Sequence, residues 1–279
     1  MKSVLIRLRG AKDTASETEK SIIEYLLKHP EDAMELSIRE LADRTFSSPS
    51  TIIRMCHRVG FEGFKDFRKA ITYELALRKQ GEIETTKDIT KNDSLEEIIE
   101  KVTYKSIVSL EDTKNLLDVE TLETAVDIIH KSSTICLFGI GASLCVARDA
   151  YLKFLRLNKL CILNDDWHSQ LLQARNMTEK DVGIVISYSG QTTEMIECMK
   201  VMKNNGASII AITSYNPSPV AELSDYNLYV APNEAILRSG AMSSRISQLN
   251  IIDILFIAYA IREYDISVER LKRNYIEKP

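Results

Sequence analysis

The sequence predicts two architectures in series: an all-α segment over residues 1–80, then an α/β segment over 119–279, joined by a linker and connecting helix at 81–118. Three observations predict this. The chain has 279 residues, more than the usual ~100–200 of one domain. Its charge changes sign, with 15 Lys+Arg against 12 Asp+Glu in residues 1–80 and 21 against 28 behind them. The hydrophobic pattern also changes, from helical spacing at the front to short apolar runs alternating with helical ones behind.

Composition narrows the class. With 44% hydrophobic and 27% charged residues, the chain is neither disordered, collagen-like nor a coiled coil. No uninterrupted apolar run approaches the ~18–20 residues of a membrane span; Ile251–Ala260 is cut by Asp253. Arg7 and Arg9 argue against a secretory signal. Cys56, Cys136, Cys145, Cys161 and Cys198 are scattered, odd in number and without a C-x-x-C pair. They read as reduced, mostly buried thiols of a cytoplasmic protein, with no structural metal.

In the front segment, Ser16–Glu19 is a capping box that starts a helix carrying Ile22, Ile23, Leu26 and Leu27, which Pro30 stops. Ser37–Glu40 is a second capping box, opening a short helix with Ile38, Leu41 and Ala42 inward. Thr45-Phe46-Ser47 is a tight turn. Ser48-Pro49 then reads as N-cap and first helical residue of a third helix, with Ile52, Ile53, Cys56 and Val59 as its inner face and Gly60 at its end. Phe61, Phe64 and Phe67 complete the core. Two short helices, a tight turn, and hydroxyls at the start of the second helix describe a helix-turn-helix. Ser48, Ser50, Thr51 and Arg54 fall on the early outer part of that helix, where small hydroxyls approach phosphates and an arginine reaches a base edge. Arg58, Lys65, Arg68 and Lys69 extend the positive surface. A plain three-helix bundle with solvated basic residues is the alternative, and Cys56-His57 lacks the further ligands of a metal pair.

Gln80–Asp93 reads as a polar linker. Ser94–Glu97 is another capping box, followed by a long helix with Leu95, Ile98, Ile99, Val102, Ile107 and Leu110 as apolar positions.

Behind it, strands are expected at Thr134–Gly139, Leu160–Leu163, Val182–Ser187, Ser208–Thr213 and Asn227–Val230. Helices are expected at Ser143–Leu157, Trp167–Arg175, Thr192–Asn204 and Pro219–Leu223. This alternation means a parallel sheet covered on both faces, with ligands beyond the strands' carboxyl ends. Two strand ends are hydroxyl-rich loops opening onto helices: Gly139-Ile140-Gly141-Ala142-Ser143 and Ser187-Tyr188-Ser189-Gly190-Gln191-Thr192. Free N–H groups at helix N-termini, with Ser143, Ser187, Ser189 and Thr192 as added donors, suit a phosphomonoester. Neither loop holds a lysine or arginine. Gly139-Ile140-Gly141 also begins a dinucleotide fingerprint, with Asp165 about 20 residues on, but Leu144 stands where the third glycine belongs. No G-x-x-x-x-G-K-[ST] occurs. Isolated Ser-Gly turns also serve as plain punctuation.

The stretch LSIRELADRTFSSPSTIIRMCHRVGFEGFKDFR, within residues 15–70, resembles the helix-turn-helix of RpiR-type bacterial regulators. FGIGAS, VISYSGQTTE, GASIIAIT and SSRISQLNIID, within about 120–260, resemble a sugar isomerase (SIS) domain. Ser47 departs from the pattern, where an apolar residue is usual. The resemblance implies a three-layer α/β/α sandwich and a non-enzymatic transcriptional regulator of carbohydrate genes whose SIS domain binds a phosphorylated sugar or amino sugar. It implies operator DNA, in the form of an inverted repeat, as a partner, a homodimer or dimer of dimers, and no cofactor, metal or membrane. By motif match Ser143, Ser187, Ser189 and Thr192 are the phosphate cradle, with His168, Glu234 and Arg245 as candidates for sugar or subunit contacts. The SIS fold also hosts aldose–ketose phosphosugar isomerases, so isomerisation is the competing expectation.

Overall fold

The computed structural model describes residues 4–12, 14–79, 89–232 and 241–276. The chain divides into two compact units, Met1–Lys105 and Ser106–Pro279.

The first unit is helical: α1 (Val4–Lys12), α2 (Glu17–Lys28), α3 (Pro30–Glu35), α4 (Ile38–Arg44), α5 (Pro49–Arg58), α6 (Phe64–Lys79) and the beginning of α7 (Leu95–Leu116). Its starts are set locally. Ser16 N–H donates to Glu19 at 3.1 Å while Glu19 N–H donates back to Ser16 Oγ at 3.4 Å. Ser37 and Glu40 repeat the reciprocal pair at 2.7 and 3.3 Å, as do Ser94 and Glu97 at 2.7 and 3.2 Å. Each pair satisfies two backbone donors that a helix start leaves orphaned. Ile22, Ile23, Leu26, Leu41, Ile52, Met55 and Phe67 form the core.

The structure corrects one expectation, the inner face of α5, and adds to the rest. α1 was not anticipated: Val4, Leu5, Ile6 and Leu8 are buried without a clean amphipathic spacing. Pro30 ends α2 but also opens α3, because its missing N–H costs nothing at a first helical position. The inner face of α5 is Ile52, Met55 and Cys56, whereas Ile53 is 40% exposed. On a helix Ile53 lies 100° round from Ile52, and the i+3 residue Met55 takes the inward place. Finally, α7 divides its apolar positions, with Ile98, Val102 and Leu110 half-buried. Leu95, Ile99 and Ile107 are exposed, and Ser109, Asp112, Thr113 and Leu116 are buried.

The second unit adds α8 (Val119–Lys131), β1 (Thr134–Phe138), α9 (Ala142–Arg156), β2 (Cys161–Leu163), α10 (Trp167–Asn176), β3 (Asp181–Ile186), α11 (Thr193–Asn204), β4 (Ser208–Ser214), α12 (Pro219–Leu223), β5 (Tyr226–Val230), α13 (Met242–Arg262) and α14 (Tyr264–Arg273). The five strands form one parallel sheet in the order β2-β1-β3-β4-β5. Alternate strand residues serve opposite layers. Ile135, Leu137, Val182, Ile184, Ile210 and Ile212 pack with buried residues of α8, α9 and α13. Cys136, Phe138, Val185, Ile209 and Ala211 pack with those of α10, α11 and α12. The result is an α/β/α sandwich. Gly183 leaves room for the second layer, since a Cβ there would meet Met202 Sδ at 2.7 Å.

Among the described residues, α13 is long and apolar enough to cross a membrane by length and composition alone. Here Ile251, Ile252, Leu255 and Tyr259 lie in the sheet's core, and Asp253 pairs with Lys153 of α9. Next to Tyr259, the fully buried Phe154 meets that ring edge-on at 5.5 Å and Phe256 at 6.2 Å. Phe154→Ala should cost about 3–5 kcal/mol through lost transfer energy and a residual cavity, read as a lower urea midpoint. A loss below about 1 kcal/mol would mean that α13 collapses onto the gap.

Candidate functional site

Two sites emerge, one in each unit. In the second unit, β1 pairs with β3 so that Phe138 lies opposite Val185. The loops after these strands therefore leave side by side, where the strand order reverses and α/β sheets bind ligands. After β1, Gly139 lets the loop pass close to α9: a Cβ would stand 3.0 Å from the Ser143 backbone, tight enough that the backbone would have to give. Gly141, at φ +60, caps α9. After β3, Gly190 at φ +65 allows the chain to pass Ser218, whose Oγ would lie 2.1 Å from an added Cβ. Val220 N–H donates to Gly190 O at 3.2 Å and fixes that passage.

The hydroxyls of the second loop are mutually placed. Ser187 Oγ and Thr192 Oγ1 stand 3.1 Å apart, and Gln191 N–H donates to Ser189 Oγ at 3.3 Å. Ser187 is buried, Ser189, Thr192 and Ser143 are half-buried, and Thr192 caps α11 through its backbone rather than its side chain. Of the other candidates, His168 is exposed in the first turn of α10 and Arg245 is exposed in the first turn of α13. No hydrogen bond joins either side chain to the serine loops among the described residues. Glu234 lies outside the described residues.

Sequence reasoning missed Gln170. It is 1% exposed on α10, accepts from Gly139 N–H at 3.2 Å, and donates to Gly139 O and Asn164 O, both at 3.0 Å. It ties the loop after β1 to the one after β2. A glutamine inside a helix carries no signal of such a long-range clamp.

In the first unit, α4, the Thr45–Ser48 turn and α5 make the helix-turn-helix. Ser48 caps α5, and its Oγ lies 2.8 Å from Ser50 Oγ and 2.9 Å from Thr51 Oγ1. Arg54, Arg58 and Lys65 are exposed. The two arginines are held from beneath: Arg54 Nε donates to Glu19 Oε1 at 3.3 Å and Arg58 Nη2 to Glu19 Oε2 at 3.1 Å. Glu19, 1% exposed, is the same carboxylate that closes the capping box of α2. Its capping role was legible, but its reach of 35 and 39 residues to α5 was not. Burial alone would push this carboxyl up. The Ser16 N–H and hydroxyl, with Arg58 and Arg54, outweigh it and hold Glu19 below its ordinary value of 4.5.

A helix-turn-helix joined to a phosphate-type site on a parallel sheet defines a ligand-responsive DNA-binding regulator. Comparison with known proteins agrees. Residues 2–78 match the rpiR-family helix-turn-helix domain and residues 128–258 the SIS domain. The chain is 37% identical over 274 residues to an HTH-type transcriptional regulator of Caldanaerobacter subterraneus subsp. tengcongensis, covering 98% of this chain and 96% of the relative. It is 34% identical to the HTH-type regulator YbbH of Bacillus subtilis, covering 97% and 93%. Among solved structures, the Vibrio vulnificus NanR protein complexed with ManNAc-6P superposes with a TM-score of 0.60 at 26% identity, covering 97% of this chain and 96% of that one. Phosphoheptose isomerase GmhA from Neisseria gonorrhoeae, at 19% identity and TM-score 0.53, covers 60% of this chain and all of its own, and shares the fold. The chain belongs to the rpiR family of helix-turn-helix transcriptional regulators with an SIS domain.

Because Glu19 has a lowered folded-state pKa, its stabilisation is full above 4.5 and is lost as pH falls through the lower folded value. Glu19→Gln should therefore be less stable than wild type at neutral pH, and the two denaturation curves should converge in acid. A stability difference that persists unchanged at low pH would mean that the carboxylate's charge is irrelevant there.

Proposed function

We propose that the chain represses or activates carbohydrate genes by binding operator DNA through α5 and a phosphorylated sugar or amino sugar through its serine loops. The observation that carries this is the juxtaposition of the β1 and β3 loops. Ser143, Ser187, Ser189 and Thr192 stand at two helix starts, in loops that contain no lysine or arginine. Such a set offers neutral donors to one phosphate and no competing counter-charge. The ligand class is supported by the family's SIS domain and by the ManNAc-6P of the NanR complex. His168, Glu234 and Arg245 are proposed to meet the sugar or a neighbouring subunit.

At the DNA end, Ser48, Ser50, Thr51, Arg54, Arg58 and Lys65 are the proposed contacts, the hydroxyls and Lys65 to phosphates and Arg54 to a base edge. The chain acts as a homodimer or a dimer of dimers on an inverted repeat in the cytoplasm. Support for self-association comes from Leu152 and Leu155 of α9 with Ile257 and Ile261 of α13, all exposed on helices that pack together. The chain performs no turnover in this reading, which the regulator names of its relatives support.

Coupling between the sites runs through α7. Its Ser109 Oγ lies 2.8 Å from Ser247 Oγ of α13 and donates to Ser243 O at 3.3 Å, while Ser247 Oγ donates to Ser109 O at 3.2 Å. Thr113 Oγ1 accepts from Ala231 N–H at 3.1 Å, just beyond β5. Ligand-dependent movement of the α13 start is thereby passed to α7, with a coupling of about 1–3 kcal/mol.

Two variants separate the sites. Arg54→Ala should weaken operator binding by about 1–3 kcal/mol and leave intact the thermal stabilisation by a panel of sugar phosphates that includes N-acetylmannosamine 6-phosphate. Ser189→Ala should abolish that stabilisation and leave ligand-free DNA binding intact. Loss of both activities in each variant would overturn the two-site reading, and release of isomerised sugar phosphate would overturn the non-enzymatic one.

A further inference from the structure

Two apolar side chains sit on the DNA-facing part of the first unit without a partner in its core. Phe46, in the turn between α4 and α5, is 95% exposed and holds φ at +51, a conformation that favours glycine. Ile53, in the second turn of α5, is 40% exposed. No other large apolar residue of α4 or α5 is exposed; Leu41, Ile52 and Met55 are fully buried. Phe46 therefore carries two costs, an exposed ring and a left-handed backbone, that no packing within its own unit offsets. Such a residue persists when a partner surface covers it.

The surroundings say which surface. Ser50, Ile53, Arg54 and His57 recur at the spacing of one helix face, and all four are exposed. Phe46 precedes that face and Ile53 lies within it. The bonded hydroxyls of Ser48, Ser50 and Thr51 fall between them in the chain, and Arg54 is pinned by Glu19 beside Ile53. The apolar pair is thus continuous with the polar groups proposed to meet DNA. On the base edges of the major groove, the one apolar group is the 5-methyl of thymine. We infer that Phe46 and Ile53 read thymine methyl groups, so that the half-site recognised by α5 contains A·T pairs at the positions these side chains reach. This rests on the reading of α5 as the helix that enters the major groove.

The test uses the full-length protein. Duplexes are first selected from a random pool, and each thymine of the selected half-site is then replaced by uracil, which lacks only the methyl group. Wild-type affinity should fall about fourfold for each contacted methyl removed, the transfer free energy of one buried carbon. Phe46→Gly and Ile53→Ser should each bind the thymine duplex more weakly and lose sensitivity to uracil at one position. Phe46→Gly should keep or raise the thermal midpoint, because glycine adopts the positive φ freely, which separates a lost contact from a lost fold. Arg54→Ala should weaken thymine and uracil duplexes alike. Insensitivity of the wild type to every uracil replacement would overturn the inference while leaving the DNA reading of α5 in place. So would variants whose sedimentation changes while their DNA affinity does not, which would make the pair a contact between copies of this chain. Failure to enrich any duplex would remove the reading of α5, and the inference with it.

Discussion

The parallel pairing of β1 with β3 is the constraint on which the ligand end depends. Parallel strands send their carboxyl ends the same way, and the register that sets Phe138 against Val185 brings the next residues out together. Each chain must then turn at once into a helix on the opposite layer, α9 toward one face and α11 toward the other. Turns that abrupt exclude side chains, which is why Gly139 and Gly190 stand where a Cβ would strike backbone or Ser218. Once the turns are made, the starts of α9 and α11 and the serine hydroxyls stand at the same edge of the sheet. Gln170 adds rigidity at the loop after β1 through three hydrogen bonds. The geometry of the proposed ligand site is thus prepared by backbone topology, and the side chains in its loops are small.

The DNA end is organised by a different economy. Its net charge is small, so affinity for phosphates cannot rest on a diffuse field. Glu19 converts two long flexible arginines into presented ones, at the cost of part of their charge. A carboxylate beneath Arg54 and Arg58 lowers their long-range attraction for DNA and removes rotameric freedom that binding would otherwise have to remove. For the DNA contacts proposed for Arg54 and Arg58, that exchange favours discrimination between sequences over raw affinity. The capping box joins this arrangement to the start of α2, so the same atoms that begin a helix also aim the one beside it.

Legibility followed the range of the interactions. Capping boxes at Ser16, Ser37 and Ser94, the Ser48-Pro49 helix start and all five strands were readable, because each is decided by neighbours a few residues apart. The serine loops were readable because their composition differs from ordinary strand ends. What was hidden is long-range. α1 has nearly continuous apolar residues and no periodicity, since its neighbours in the bundle enclose it. Ile53 and Met55 exchanged places because the choice depends on which helices flank α5. Glu19 and Gln170 act across 35 and 31 residues, where single-residue identity has no local reason to reveal them.

The same logic explains why the buried face of α7 is polar. A helix meant only to stabilise the sheet would bury its leucines and isoleucines there; this one buries Ser109, Asp112 and Thr113 beside Leu116, with Ser109 on Ser247 of α13 and Thr113 on Ala231. Burying hydroxyls contributes less than burying aliphatic side chains, and it demands partners for every group. Ser247 Oγ donates to Ser109 O and Ser109 Oγ to Ser243 O, whereas Gln248 Nε2 is buried with no partner among the described residues. An apolar seam tolerates sliding, because dispersion and desolvation change gradually with displacement. A hydroxyl seam does not: a shift of about an ångström leaves donors unpaired in a dry environment, and the helices must either hold register or re-pair elsewhere. Under the proposed function, such a contact turns ligand-dependent movement at the α13 start into a choice between discrete arrangements. In the proposed reading that choice is the signal, and α7 is built to carry it because it runs from one compact unit into the other.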